Sequence, residues 1–443
     1  MTTPATRAAY ELLTDEDEGR VCRDIPETAC HEQPGNFVKH VGSLTATKTG
    51  DGLADPKLVL SWLLEALGAP AWQVGLLVPI REAGALLPQL GISAWIRGRP
   101  RRKWVWSAAS VGQGLSVLGM AWAALALGDG SGAVAGGVIL ACLLSFALFR
   151  SGASVSYKDV LGKTVSKATR GTATGAAGSV ASALVLLFGV LISLGVLPRT
   201  VPMVTGALLV AGLLWLMAAA TFATLAEEAG ATEGGGDPWR VAVRQMGLLK
   251  RRPQLVRFIG VRALLLATAL APPYFLILAG GDGGRALGDL GAFVIASSGA
   301  SVVSAYVWGR LADRSSRRVL RAAGLVAAAV LGATAALAWT IPDMVRAPWV
   351  LPGLLFVLMV AYQGVRVGRS THIVDMASAE DRAAYVAISN TTIGVLLLVG
   401  SVFGLVAQAA GEAAVLLVFA GMCFGAAVLA QGLDEVQAHD PTD

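Results

Sequence analysis

Long runs of apolar residues, separated by short polar turns, dominate the hydrophobic pattern of this chain. A helix needs about 20 apolar residues to cross the hydrocarbon core of a bilayer, and the runs reach that length. Twelve runs are predicted to be helices, at 38–66, 71–97, 104–127, 133–155, 171–196, 201–225, 255–280, 287–309, 319–341, 348–370, 384–409 and 412–432. The pattern predicts an all-α polytopic membrane protein with twelve transmembrane helices.

The polar segments outside the runs divide the chain into five parts. We expect an acidic N-terminal tail at 1–37, a six-helix half at 38–225, a connector at 226–254, a second six-helix half at 255–432 and a tail at 433–443. In the connector, Asp237 and Pro238 are typical of a helix start. Apolar residues on one face and basic residues on another predict an amphipathic helix on the membrane surface.

Composition and charge agree with a membrane protein and also predict its orientation. Mean hydropathy is +0.63 and only 15% of the 443 residues are charged, against about 25% in soluble chains. The net charge of +5 comes from Lys and Arg crowded into the loops after even-numbered runs. The opposite loops hold only Arg199, Arg285 and Arg346. We therefore predict a cell (inner) membrane protein with both termini cytoplasmic, and no nucleic-acid partner.

One loop carries a recognisable motif. The segment Gly309–Arg321 reads GRLADRSSRRVLR and lies between the eighth and ninth runs. It resembles the loop signature of the major facilitator superfamily, Gly-x-Leu-Ala-Asp-Arg-x-Gly-Arg-Arg. Gly309, Leu311, Ala312, Asp313, Arg314, Arg317 and Arg318 match this signature, while Ser316 replaces its second glycine.

The resemblance implies two pseudo-symmetric six-helix halves with a substrate site between them near mid-membrane. Within this chain, SKATRGTATG and SAEDRAAYVA align between the halves and place Arg170 over Arg382. In the superfamily, the loop aspartate of one half docks on the arginine that opens a helix of the other half. The resemblance therefore implies a cytoplasmic gate between Asp313 and Arg170. The first-half loop RGRPRRK has no aspartate, so Arg382 is expected to lack the equivalent partner.

The first run is unusually charged for a membrane span. It contains Lys48, Asp51, Asp55, Lys57 and Glu65. Charges within a membrane span are costly and indicate function by default. Gly50, Gly52 and Pro56 predict that this helix is interrupted, as in the broken helices that line transporter cavities.

The second run adds Arg81 and Glu82. At 1.5 Å per residue, Arg81 and Asp55 reach the same depth, which predicts an Asp55–Arg81 ion pair. Asp51 would then have only Lys48 nearby and would carry the proton. The alternative is that these charges only hold two helices in register. Other helices contribute further candidates for substrate or proton binding, namely Arg262, Gln363, Arg366 and Asn390.

Other chemistries find no support in the sequence. Cys22, Cys30, His31 and Glu32 lie in the tail, but their spacing matches no structural zinc pattern and the cysteines form no disulfide framework. The sequence has no P-loop, Gly-x-Ser-x-Gly or His-Glu-x-x-His motif. The motifs of drug/proton antiporters and sugar porters are also missing. We predict no cofactor, no metal and no enzymatic activity.

The sequence therefore predicts a secondary active transporter that moves a small solute by alternating access. Coupling to protons would run through Asp51 or Asp55. The expected partners are a small-molecule substrate, protons and the lipid bilayer, and the protein is expected to be a monomer. The alternatives are a uniporter or exchanger without proton coupling, and a non-transporting receptor or assembly factor on the same fold.

Overall fold

The structure is a computed structural model, and it is helical almost throughout. It describes residues 7, 10, 11, 25, 27–128, 130–198, 200–230, 252–279, 286–345, 347–377 and 382–436. Within these ranges no β-strand occurs. The predicted amphipathic helix of the connector lies outside the described residues.

The helices follow the predicted order in both halves. The N-terminal half contains α1 (Glu27–Leu53), α2 (Val59–Ala66), α3 (Ala71–Leu86), α4 (Gln89–Arg97), α5 (Lys103–Leu127), α6 (Gly132–Thr164), α7 (Lys167–Ser193) and α8 (Val201–Ala223). The C-terminal half contains α9 (Pro253–Leu264), α10 (Ala267–Leu270), α11 (Pro272–Ala279), α12 (Ala286–Arg314), α13 (Ser316–Thr340), α14 (Pro342–Val345), α15 (Val350–Met376), α16 (Arg382–Val399), α17 (Val402–Ala410) and α18 (Glu412–Ala430). The first helix begins at Glu27, well before the predicted residue 38.

Nine helical spans in the described chain are long and apolar enough to cross a membrane. The other three predicted runs depart from a plain apolar helix. The first run is highly charged and interrupted, and the second run is divided between α3 and α4. The eighth run, 287–309, has its apolar stretch only at Leu290–Ser304. The all-helical membrane architecture is thus confirmed, whereas the count of twelve spans stays a prediction.

The two halves are built alike. In the N-terminal half α5 packs against α6 and α8, and in the C-terminal half α13 packs against α15 and α18. The pairs α1–α8 and α9–α18 correspond in the same way, as do α3–α6 and α12–α15. Equivalent helices therefore make equivalent contacts, which confirms two pseudo-symmetric halves.

The outer surface carries large apolar side chains at both ends of the helices. Trp104 begins α5 and is 55% exposed, while Trp339 lies at the end of α13 and is 57% exposed. Tryptophan is enriched where a membrane meets water, because its ring is apolar and its N–H is polar. This exposed surface fits lipid rather than water.

The halves touch along a few helices, and the closest contacts use glycine. A Cβ on Gly75 of α3 would lie 2.7 Å from the Cα of Gly404 in α17, and a Cβ on Gly189 of α7 would lie 2.8 Å from Cγ1 of Val294 in α12. Only a residue without a side chain allows these approaches. Each of these positions lies towards the end of its helix that is predicted to be extracellular. The halves are therefore packed together at that end.

At the opposite end, the segment after each half folds back onto that half. The carboxylate of Glu227 accepts backbone N–H bonds from Arg102 and Lys103 at 3.0 and 2.7 Å. The carboxylate of Glu435 accepts a hydrogen bond from Ser315 at 2.7 Å and pairs with Arg317 at 3.3 Å. Residues 226–230 and 432–436, called the straps below, thus tie the helix ends of each half together.

Candidate functional site

The first membrane helix is broken where its charged residues lie. The helix α1 ends at Leu53 and α2 begins at Val59, and Pro56 between them has no N–H for a helical hydrogen bond. Oδ1 of Asp55 accepts the backbone N–H groups of Lys57 at 2.7 Å and Leu58 at 3.1 Å. The predicted interruption is confirmed, and Asp55 binds the backbone of the turn that leads into α2.

Asp51, rather than Asp55, is the ion-pair partner of Arg81. Nη2 of Arg81 lies 3.0 Å from Oδ1 of Asp51, and Nη1 of Arg150 lies 2.7 and 2.6 Å from the two carboxylate oxygens. The predicted Asp55–Arg81 pair is wrong because the carboxylate of Asp55 is turned towards the backbone of α2. The prediction that Lys48 is the only cation near Asp51 is also wrong.

Lys48 instead turns towards α7. Its Nζ donates a hydrogen bond to the carbonyl oxygen of Thr174 at 3.0 Å. Arg366 of the other half lies near enough for the two positive charges to repel each other. Lys48 therefore stands at the boundary between the halves.

Two more charged side chains of the N-terminal half reach this boundary. Nζ of Lys57 lies 3.6 Å from the ring centroid of Tyr362 in α15, which is cation–π geometry. Glu82 in α3 is within electrostatic reach of Lys57 and of Arg369 in α15. Glu65, by contrast, lies near Glu412, at the start of α18 and towards the predicted extracellular end.

In the C-terminal half, the candidate residues form two hydrogen-bonded groups. The guanidinium of Arg262 in α9 donates to Oγ of Ser389 and, at 3.3 Å, to Oδ1 of Asn390, both in α16. Gln363 in α15 donates to Oγ of Ser301 at 2.8 Å and accepts from Nη1 of Arg366 at 3.3 Å. The acceptors of these four hydrogen bonds are all neutral.

A small cavity lies between these C-terminal helices. Its polar wall is formed by Arg262, Arg366, Arg369 and Tyr362, and its apolar wall includes Leu265 and Ile393. Tyr362 also contacts Lys57, so the cavity adjoins the N-terminal half. The charged layer, as we call it, consists of Lys48, Asp51, Asp55, Lys57, Arg81, Glu82, Arg150, Arg262, Arg366 and Arg369.

The structure thus brings the predicted site residues together and adds others. Arg150, Lys57, Arg369, Tyr362, Ser301 and Ser389 were not predicted as site residues. Arg150, Arg366 and Arg369 had been counted as loop residues, but they lie inside α6 and α15, which run on to Thr164 and Met376. The only sequence signal for Arg150 was a charge within a predicted apolar run. No observation tests whether the layer binds substrate or protons, and that role stays a prediction.

The gate residues are described only in part. The guanidinium of Arg170 donates from Nε to the carbonyl oxygen of Val165 at 2.8 Å and from Nη2 to that of Gly162 at 2.7 Å. Arg314 ends α12, and the backbone N–H of Arg318 donates to the N-cap Ser315 at 3.1 Å. The side chains of Asp313 and Arg382, and the surroundings of Gly309, lie outside the described part of the chain. The Asp313–Arg170 contact therefore stays a prediction.

The N-terminal cysteine region differs from expectation. Cys30 is disulfide-bonded, although the sequence predicted no disulfide framework. Cys142 and Cys423 are free thiols inside α6 and α18. In the described residues, no group of three or more His, Cys, Asp or Glu side chains could hold a metal ion.

Comparison with known proteins gives likeness in structure but not in sequence. No family model matches the chain, and no curated protein matches it. The nucleoside transporter NupG superposes with a TM-score of 0.63 at 14% identity, covering 90% of this chain and 99% of its own. The inward-open xylose transporter XylE from E. coli gives 0.65 at 12% identity, covering 89% and 95%. A POT family transporter with a bound peptide gives 0.65 at 9% identity, covering 92% and 98%.

These likenesses extend over nearly the whole of each chain. The protein shares its fold with these transporters. It is an integral membrane protein.

Proposed function

We propose that this protein is a secondary transporter that moves a small solute across the cell membrane, with both termini in the cytoplasm. The observation that carries this proposal is the charged layer. Three of its side chains, Lys48, Lys57 and Glu82, reach α15 of the other half. Charges within a membrane are retained for substrate and ion pathways, and in this fold such pathways run between the halves.

The glycine contacts support alternating access. At Gly75–Gly404 and at Gly189–Val294 the halves meet at the predicted extracellular end, which corresponds to a state closed on the outside. In the opposite state, we propose, these contacts separate and the cytoplasmic ends close. Asp313 then docks on Arg170, whose guanidinium now binds carbonyl oxygens at the end of α6.

We also propose that transport is coupled to protons. The layer contains three carboxyl groups, Asp51, Asp55 and Glu82, and Glu82 lies within electrostatic reach of the opposite half. A carboxyl group whose neighbours change between two states can bind a proton in one and release it in the other. One of the similar structures is a D-xylose–proton symporter, with a TM-score of 0.64 and 14% identity.

Reconstitution in liposomes tests the transport proposal. Purified protein would be screened for thermal stabilisation by small solutes, and the stabilising solutes would be assayed for uptake with and without a pH gradient. We expect uptake that exceeds that of empty liposomes and rises with an inward proton gradient. Binding without uptake would instead favour a receptor, and uptake that is indifferent to pH would favour a uniporter or exchanger.

A glycine substitution tests alternating access. A leucine at Gly404 would collide with the backbone of Trp72 and Gly75, so Gly404→Leu should prevent closure at the extracellular end and abolish uptake. An Ala269→Cys reporter in the cavity, with Cys142 and Cys423 replaced, should become reactive to an impermeant reagent added outside. Gly421→Leu is the matched control, because a Cβ at Gly421 meets no atom within 4 Å. Full uptake by Gly404→Leu would overturn the proposed role of this contact.

A further inference from the structure

The charged layer holds many more basic than acidic groups. Its seven basic side chains are Lys48, Lys57, Arg81, Arg150, Arg262, Arg366 and Arg369, and its three acidic ones are Asp51, Asp55 and Glu82. Positive charge without a counter-charge is unfavourable at membrane depth. A surplus of four positive charges therefore calls for a negative partner that the layer itself does not supply.

Like charges are also placed side by side. Lys48 of α1 faces Arg366 of α15 across the boundary between the halves, and Arg262 lies beside Arg369 in the C-terminal half. Asp51 bonds to both members of the third such pair, Arg81 and Arg150. Repulsion between like charges grows as the local dielectric constant falls. Within the described residues no carboxylate bonds to Arg262, Arg366 or Arg369, although Asp51 attracts Lys48 and Glu82 attracts Arg369 electrostatically.

The hydrogen bonds of the C-terminal arginines are similarly incomplete. Arg262 is only 7% exposed and donates to Ser389 and Asn390. Its Nε is buried and has no hydrogen-bond partner among the described residues. A buried donor without an acceptor is destabilising, and its presence beside a cavity indicates that a ligand completes its bonding.

Arg366 lines the cavity and is also accessible to solvent. It is exposed although it lies well inside the membrane-spanning α15, and it donates a hydrogen bond to Gln363. Guanidinium groups bind carboxylates and phosphates through paired N–H donors, so several together favour an anionic ligand. Three of them line this cavity.

We infer that the transported solute is a small organic anion, a carboxylate or a phosphate ester. Its negative group binds Arg262, Arg366 and Arg369, and the cavity between them widens to admit it, because its volume in this state is only about 20 Å³, which is room for about one water molecule. Lys48 and Lys57 approach the same space from the N-terminal half, so the bound anion also draws the halves together and relieves the repulsion between Lys48 and Arg366. This inference rests on the proposed transport function and specifies the substrate class of that site.

Binding and uptake, measured separately, test the inference. Thermal stabilisation of the full chain would be compared for succinate, citrate and glycerol 3-phosphate as anions, and for xylose and uridine as neutral solutes, at one ionic strength. We expect stabilisation by at least one anion and none by the neutral solutes. Stabilisation by neutral solutes alone, or by no anion, would overturn the inference.

Substitutions locate the anion. Arg366→Gln and Arg369→Gln should each weaken binding of the stabilising anion by about 10- to 100-fold, the range for one charged hydrogen bond. Lys158→Gln is the matched control, because Lys158 is exposed and outside the layer. Unchanged affinity in both arginine variants would place the anion elsewhere and overturn the proposal.

Uptake separates this inference from the transport proposal. Anion binding without uptake would leave the anion site standing and refute transport. Uptake of xylose or uridine that excess anion does not inhibit would confirm transport and refute the anionic substrate. Uptake of the anion, lost in Arg366→Gln and kept in Lys158→Gln, would support both.

Discussion

In the N-terminal half Arg81 and Arg150 share the carboxylate of Asp51, whereas in the C-terminal half Arg262 and Arg366 donate to neutral oxygen atoms. The first arrangement is complete in itself, because its positive charges have a counter-charge that the chain supplies. In the second, no carboxylate of the described residues bonds to the arginines. We infer that the ion pairs of the N-terminal half stabilise the packing of its own helices. The arginines of the C-terminal half, which have no bonded carboxylate among the described residues, are available to bind a ligand.

The largest expected effect is the removal of the shared carboxylate. Asp51→Asn leaves two arginines without their counter-charge, and breaking a buried ion pair in this way costs about 3 kcal/mol. We expect poor expression and a melting temperature several degrees lower in detergent. Asp55→Asn is the control, since the amide oxygen of asparagine can accept the same two backbone N–H bonds from Lys57 and Leu58. Equal losses in the two variants would contradict the distinct roles of Asp51 and Asp55.

A second substitution should repair part of that damage. In the double variant Asp51→Asn with Arg150→Gln, one of the two stranded charges is gone. Groups in direct contact couple by roughly 0.5–3 kcal/mol, so the melting temperature should recover part of its loss. Pairing Asp51→Asn with Lys158→Gln should bring no recovery. If the two double variants have the same melting temperature, the charge of Arg150 does not depend on Asp51 as its counter-charge.

A smaller effect distinguishes the two straps. The side chain of Glu227 is fully buried and accepts two backbone N–H bonds, whereas the side chain of Glu435 is 22% exposed. Glu227→Gln should lower the free energy of unfolding by about 1–3 kcal/mol. Glu435→Gln should lower it by less than about 1 kcal/mol. Thermal melting in detergent measures both, and the reverse order would show that burial does not decide the difference.

The smallest effect is expected in the C-terminal half. Arg369 lies beside Arg262, so removing its charge relieves a repulsion. Without anion present, Arg369→Gln should melt at the same temperature as the unchanged protein or slightly above it. A loss as large as that of Asp51→Asn would show that Arg369 holds the helices together, and would contradict the comparison between the halves.

The apolar runs predicted most of the fold from the sequence, because a membrane helix must satisfy its own backbone hydrogen bonds. The interruption at Pro56 was also predictable, since proline and glycine act locally. The direction in which a side chain points from its helix axis was not predictable. Asp51 and Asp55 are one turn apart, and counting the rise per residue gives depth without showing which of them faces Arg81.

Two arginines of the layer, Arg150 and Arg369, were missed for a related reason. The predicted runs ended at residues 155 and 370, so both lay near the edge of a run and were counted as loop residues. In the structure α6 and α15 continue to Thr164 and Met376. A basic residue near the end of an apolar run can extend to the membrane surface or face the interior, and only the neighbouring helices decide between the two.

The straps bear on how the protein is made. Each is formed by the residues that leave a half, and within the described residues each bonds to that same half, through Glu227 in one case and Glu435 in the other. The N-terminal half can therefore complete its own contacts while the ribosome is still translating the C-terminal half. We expect two separate polypeptides, divided between Gly230 and Arg252, to insert independently and to associate in the membrane.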